Sequence, residues 1–203
     1  MLTAKNLHLW RGERHVLKGV NFALGGGELL HVSGPNGTGK TTLLRAVAGL
    51  AHPEEGEVSW RGEPVSALDS RFCEELGYVA HDAGLKGDLT ARENLAFMVR
   101  LRREISDQAI DTGLAALDIA ACAGIAARAL SAGQRRRVAL ARLLLSEALL
   151  WILDEPLTNL DAAGAALILD LLGRHLELGG LALVATHGEL AIRGGRVTRL
   201  ELT

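Results

Sequence analysis

The segment that most constrains this chain is Gly34-Pro35-Asn36-Gly37-Thr38-Gly39-Lys40-Thr41, with Thr42 beside it, because it reads as a complete G-x-x-x-x-G-K-[ST] loop. Its neighbours suit that reading. Leu29-Leu30-His31-Val32-Ser33 is a short, mostly apolar run of the kind that forms a buried strand. Beyond the loop, Leu43, Leu44, Val47 and Leu50 recur at three- and four-residue spacing, which marks one face of a helix. A strand that feeds a glycine loop and then a helix aims several backbone N–H groups, and the positive end of the helix dipole, at one point. Such a point suits a polyphosphate. The glycines let the backbone approach closely, Lys40 can reach the outer phosphates, and Thr41 can offer a hydroxyl to magnesium. The expected ligand is a nucleoside triphosphate, ATP with Mg2+.

Composition narrows the class. A length of 203 residues suits one sizeable domain, or one domain with an inserted lobe. A formal net charge of −2 gives no electrostatic footprint for nucleic acid, so none is expected as a partner. No apolar run reaches the roughly 18–20 residues that span a bilayer. The N-terminal residues lack the basic-then-apolar pattern of a signal peptide, so a cytosolic chain is expected, and any membrane association comes through a partner. Cys73 and Cys122 stand alone, which indicates neither a disulfide framework nor a zinc site.

Along the chain, residues 2–9 and 16–24 read as a strand pair closed by Arg11-Gly12-Glu13-Arg14. Strands are expected at 57–60 and 77–80, with a helix at 68–76 between them. From 89 to about 129 the pattern is mainly helical, opened by the capping box Thr90-Ala91-Arg92-Glu93. Then come a helix at 134–147, a strand at 149–153, a helix at 162–178, a strand at 181–185 and a last hairpin turning at Gly194-Gly195. Strands alternating with helices argue for an α/β fold, its sheet mostly parallel with antiparallel N-terminal strands. The division expected is a core of about 1–82 and 134–203 with a helical lobe of about 83–133 inserted.

Two further motifs carry chemistry. Leu149-Leu150-Trp151-Ile152-Leu153-Asp154-Glu155 is an apolar run closed by two carboxylates. A buried strand would hold Asp154 at its end beside a magnesium ion on Thr41, and Glu155, one residue on, would orient or deprotonate an attacking water. Leu130-Ser131-Ala132-Gly133-Gln134, followed by Arg135-Arg136-Arg137-Val138-Ala139-Leu140-Ala141-Arg142, is by itself a serine-capped helix start. Arg135 to Arg137 read as a solvated face of that helix.

Taken together, these motifs closely resemble the ATP-binding cassette ATPases, a phosphate-loop fold with an inserted helical lobe. In that family the order is phosphate loop, glutamine loop, signature, acidic strand, D-loop and switch histidine. The corresponding pieces here are 34–41, a variant at His81, Leu130 to Gln134, 150–155, Thr158-Asn159-Leu160-Asp161, and Thr186-His187. The resemblance implies two chains packed head to tail around two ATP molecules. Ser131 and Gly133 of one copy would contact the γ-phosphate held by Lys40 of the other. Glu155, His187 and Lys40 would be catalytic, with Asp161 in the loop that links the two sites. Gln is the family's usual residue where this chain has His81, which makes His81 the expected coupling residue. The aromatic that usually stacks on adenine falls at Arg11, with Trp10 one residue before, and both types suit a π face.

The departures point to one branch. His81-Asp82-Ala83-Gly84-Leu85-Lys86, the signature helix and Leu150-Trp151-Ile152-Leu153-Asp154-Glu155-Pro156 are together similar to the ATP-binding subunits of the bacterial cytochrome c biogenesis system, which are regarded as haem exporters. That resemblance implies integral membrane subunits of a haem-handling complex as partners and a peripheral place on the cytoplasmic face of the inner membrane. A different transporter ATPase would share the fold and chemistry. A soluble cassette protein acting on ribosomes or DNA would need the tandem cassettes or long coiled-coil insertion that this chain lacks.

Overall fold

Apolar runs and alternating runs take different places in this chain. The computed structural model describes residues 1–203 and arranges their strands in two sheets. Strands β1 (Leu2–Arg11), β2 (Arg14–Leu24), β4 (Glu55–Trp60) and the short β5 (Glu63–Pro64) form an antiparallel sheet in the order β2-β1-β4-β5. Strands β3 (Glu28–Ser33), β6 (Leu76–Val79), β7 (Leu150–Asp154), β8 (Leu181–Ala185) and β9 (Arg196–Glu201) form a second sheet in the order β6-β7-β8-β3-β9. All its pairings are parallel. Its central strands are covered on both faces, so β7 and β8 are buried at every residue, which is why they read as unbroken apolar runs.

Side chains on a strand alternate between its faces, and that period of two divides the core. Leu30, Val32, Ile152, Leu183 and Ala185 join the cluster that holds helix α1 (Lys40–Val47) and the antiparallel sheet. Leu29, Trp151, Leu153, Ala182 and Val184 face the other way. There they meet helices α5 (Ala132–Ser146) and α6 (Ala162–Glu177), with α3 (Ala91–Arg100) and α4 (Asp107–Ala116) beyond. Helix α5 touches α3, α4 and β6, so the signature segment starts a helix that joins the helical layer to the sheet.

Local chemistry sets the helix starts. Thr90 accepts from the Glu93 amide while Glu93 reaches back to the Thr90 amide, a capping box that opens α3. Ser106 caps α4, Asp69 caps the short α2 (Ser70–Glu75), and Asp161 caps α6 through the Gly164 amide. Between α4 and α5 the chain makes two single 3-10 turns, at 120–122 and 127–129, within the stretch whose pattern reads as mainly helical.

The expected hairpin at Gly194-Gly195 does not form. Both edges of β8 are already taken, by β7 and β3, so a returning antiparallel strand has nowhere to pair. The chain instead crosses to the free edge of β3, where β9 runs parallel from Arg196 to Glu201. Gly194 and Gly195 turn it there with φ of 85° and 73°, and a Cβ on Gly195 would lie 2.8 Å from the Gly27 carbonyl oxygen.

Ile152 lies on β7 with no exposed surface, inside the cluster shared with α1. Ile152→Ala is expected to cost about 2–5 kcal/mol of stability, by lost burial and the cavity left behind. Leu178→Ala, at an 88% exposed position, should stay within about 0.5 kcal/mol of wild type. Urea unfolding of the two variants checks the contrast.

Candidate active site

Three neighbouring parallel strands end on one line, and each delivers a piece of the site. From β3 the chain enters the glycine loop and then α1, whose start carries no side-chain cap, so its first-turn amides remain free for an anion. Gly39 makes that loop possible. Its φ is 106°, and a Cβ there would sit 2.4 Å from Val16 Cγ1. Lys40 is 7% exposed, and its ammonium donates to the carbonyls of Gly34 (2.7 Å) and Pro35 (3.1 Å) and to His187 Nε2 (3.2 Å). Because the ammonium can only donate, His187 Nε2 accepts and the ring proton sits on Nδ1.

From β7 comes the acidic pair. Asp154 is 2% exposed, and its Oδ2 accepts a 2.7 Å hydrogen bond from the Thr41 hydroxyl. A hydroxyl and a carboxylate brought together at a phosphate loop form an oxygen donor set that suits a hard divalent cation. Glu155 follows with φ of 49°, a left-handed conformation that costs a non-glycine residue on the order of 1–3 kcal/mol and is found at functional sites. Its Oε1 is buried without a hydrogen-bond partner and lies 3.4 Å from His187 Nε2, close but not in hydrogen-bonding geometry. An orphaned carboxylate oxygen facing a phosphate-binding cavity is poised to accept from a water. From β8 come Thr186 and His187, so the ends of β3, β7 and β8 assemble Lys40, Thr41, Asp154, Glu155 and His187 around one cavity of about 770 Å³.

Asn36, Gly37, Gly39, Thr42 and His81 also line that cavity, whereas Gly34, Pro35 and Thr38 do not. Gly34 and Pro35 serve it through the carbonyls that hold Lys40, and the Thr38 hydroxyl donates to Pro35 within the loop. Arg11, Arg14 and Val16 line the cavity as well. Trp10 does not line the cavity. Its ring stacks on His15 at 3.9 Å with an interplanar angle of 2°, across the hairpin pair Trp10 and His15. Arg14 was not singled out from the sequence, yet it enters the site and donates to the Gly37 carbonyl at 3.0 Å.

The signature residues stand away from Lys40 within the chain. Ser131 and Gln134 form a capping box at the start of α5, Ala132 is exposed, and Leu130 is buried. Gly133 packs so closely that a Cβ would lie 2.5 Å from the Asn159 carbonyl oxygen. None of them lines the cavity around Lys40. Asp161 is held well below the usual carboxyl range, first by the Gly164 amide and then by Arg137, whose guanidinium lies 2.9 Å away.

The run Arg135 to Arg137 is not a solvated face. Arg137 bridges Asp161 and Asp118, and Arg135 donates to the Leu130 carbonyl. Arg136 is 5% exposed. It shares a helix face with Ala139, Leu140 and Leu143, all buried, and that three- and four-residue spacing is the sequence signal that points it inward. Its guanidinium donates to the carbonyls of Ala80 at 2.6 Å, His81 and Pro156 at 3.4 Å, and Asp154. Burial lowers the guanidinium's pKa from its usual value, while Asp154 and Glu155 pull it back up.

Comparison with known proteins agrees with this geometry. The family model described as ABC transporter matches residues 17–158. The cytochrome c biogenesis ATP-binding export protein of Methylococcus capsulatus is 47% identical over 194 residues, covering 95% of this chain and 94% of that protein. Its counterpart of the same name in Nitrosomonas europaea is 44% identical over 204 residues, covering 100% and 96%. Among solved structures, a dimeric post-hydrolysis state of an ATP-binding cassette bound to ADP and Pi superposes with a TM-score of 0.87 at 28% identity, covering 100% of this chain and 96% of that one. A dimeric bacterial ABC transporter cassette superposes at 0.84 with 29% identity, covering 99% and 94%.

Lys40→Ala removes the ammonium from the centre of the site without touching the core. ATP affinity should drop by at least tenfold with the thermal unfolding midpoint nearly unchanged. A fluorescent ATP analogue titrated against both proteins measures this.

Proposed function

We propose that this chain, which belongs to the ABC transporter family of ATPases, is the ATP-hydrolysing subunit of a haem-handling cytochrome c biogenesis complex. The observation that carries the catalytic part is the buried, unpartnered Glu155 Oε1 beside His187 at the mouth of the phosphate loop. ATP is the substrate. Its phosphates meet the free amides at the start of α1 and the Lys40 ammonium. A water held between Glu155 and His187 attacks the γ-phosphorus, the bond from that phosphorus to the β,γ-bridging oxygen breaks, and ADP and phosphate result. Glu155 accepts the proton the water loses. Thr41 and Asp154 are the residues to hold Mg2+, which when bound neutralises charge on the phosphate oxygens.

The second half of the site comes from a second copy. Ser131 and Gly133 do not line their own chain's cavity, and both solved structures described above are dimeric, which supports a head-to-tail sandwich. No helix here is long and apolar enough to cross a membrane. In this reading, coupling runs through integral membrane subunits at the cytoplasmic face of the inner membrane. His81, exposed at the cavity and following β6, is the residue of this chain that would carry the signal, and as a neutral imidazole it keeps the donor and acceptor that a glutamine offers. The names of the relatives support the cytochrome c assignment, and haem or a haem-loaded carrier is the cargo it implies.

Glu155→Gln keeps the shape of the site and loses the base. ATP binding should persist, while turnover should fall by about 10²–10⁴-fold. The purified assembled membrane complex supplies the ATPase rate, and cells carrying the same variant supply the holocytochrome c yield. Loss of both supports the proposal. Normal holocytochrome c yield with turnover abolished would detach the ATPase from cytochrome c biogenesis.

A further inference from the structure

Arg136 is a buried cation in a place where its charge meets no carboxylate directly. All three of its guanidinium nitrogens are spent on backbone carbonyls, and those carbonyls belong to two loops. One is the loop after β6, at Ala80 and His81. The other is the turn after β7, where Arg136 grips the carbonyls of Asp154 and Pro156, one residue before and one residue after Glu155. Glu155 itself sits in the left-handed region, and such a backbone persists only where its surroundings over-determine it. Two backbone bonds also hold it: the Glu155 amide donates to the Ala185 carbonyl at 2.8 Å, and the Glu155 carbonyl accepts from the Thr158 amide at 3.2 Å. Arg136 does not line the cavity that holds Lys40 and His187.

We propose that Arg136 is a positioning residue for hydrolysis: its planar fork clamps the backbone on both sides of Glu155, and so aims the carboxylate at the attacking water, while tying the His81 loop to the same clamp. The inference rests on the reading of Glu155 as the general base. The fork geometry is what the task needs, since five donors in a fixed plane reach carbonyls on two loops at once. A lysine offers three donors around a single point and would hold only part of the set. Because α5 also begins with Ser131, the clamp joins the helix that reaches a second copy's nucleotide to the turn that carries this copy's base.

The test uses the full chain with Arg136→Gln, Arg136→Lys and the double variant Arg136→Gln/Glu155→Gln. Steady-state ATPase kinetics and the number of nucleotides bound per chain are measured for each. Arg136→Gln should lower kcat by about 10–100-fold, the scale of a misplaced catalytic group, with KM for ATP within about twofold and nucleotide stoichiometry unchanged. Arg136→Lys should fall between Arg136→Gln and wild type. The double variant should be no slower than Glu155→Gln alone, because the clamp acts only through Glu155. A wild-type kcat in Arg136→Gln overturns the proposal. So does a KM effect at constant kcat, or a further tenfold loss in the double variant. Should Arg136→Gln not fold, Arg136→Lys alone decides, by whether kcat drops at constant KM. A wild-type chain that does not hydrolyse ATP, or a Glu155→Gln variant as fast as wild type, removes the reading of Glu155 and not merely the clamp.

Discussion

The short hydrogen bond from the Thr41 hydroxyl to Asp154 Oδ2 is the interaction around which the site is organised. It joins the first turn of α1 to the end of β7, segments separated by more than half of the chain, and it exists because β3, β8 and β7 are neighbours in one parallel sheet. Parallel pairing brings the carboxyl ends of all three strands to one edge, where an open α/β sheet places its ligand. The phosphate loop leaves one strand there, Asp154 and Glu155 a second and His187 a third. Their separation in sequence is large, but their separation in the sheet is one strand at a time.

The same sheet explains how a strained catalytic turn is tolerated. Its two faces bury independent apolar clusters, one against α1 and the antiparallel sheet, the other against α5 and α6. That burial, at roughly 25 cal/mol per Å² of apolar surface, is large compared with the strain of one left-handed residue. The Glu155 backbone is held by the Ala185 carbonyl of β8 and by the Thr158 amide, and Arg136 of α5 binds the carbonyls of the residues on either side of it. Signature helix, base and phosphate loop are joined by hydrogen bonds rather than by proximity alone.

Much of this was legible in the sequence, because the relevant signals are local. The glycine loop, the apolar run ending in Asp154-Glu155 and the Ser131–Gln134 capping box each span under a dozen residues, and each sits where the pattern placed it. What the sequence hid depends on sheet order. The return at Gly194-Gly195 reads as a hairpin until β8 proves to have no free edge. Arg136 reads as solvated within a charged triplet, and only its helical phase with Ala139 and Leu143 hints at burial. Trp10 and Arg11 are adjacent in sequence, but strand alternation sends them to opposite faces, so only Arg11 lines the cavity. Arg14 lies on the paired strand opposite Arg11, at the turn the sequence marks, and that pairing brings it to the same cavity.

In the proposed head-to-tail sandwich one working site is assembled from two chains, Lys40 and Glu155 from one and Ser131 from the other. Mixing two inactive variants tests it most directly. Ser131→Arg subunits combined with Lys40→Ala subunits form heterodimers in which one site keeps both intact halves and the other loses both. Measured ATPase activity should reappear on mixing, at up to about half the wild-type rate per heterodimer if the two sites act independently. A mixture as inactive as either parent, with heterodimers demonstrably formed, would contradict the composite site.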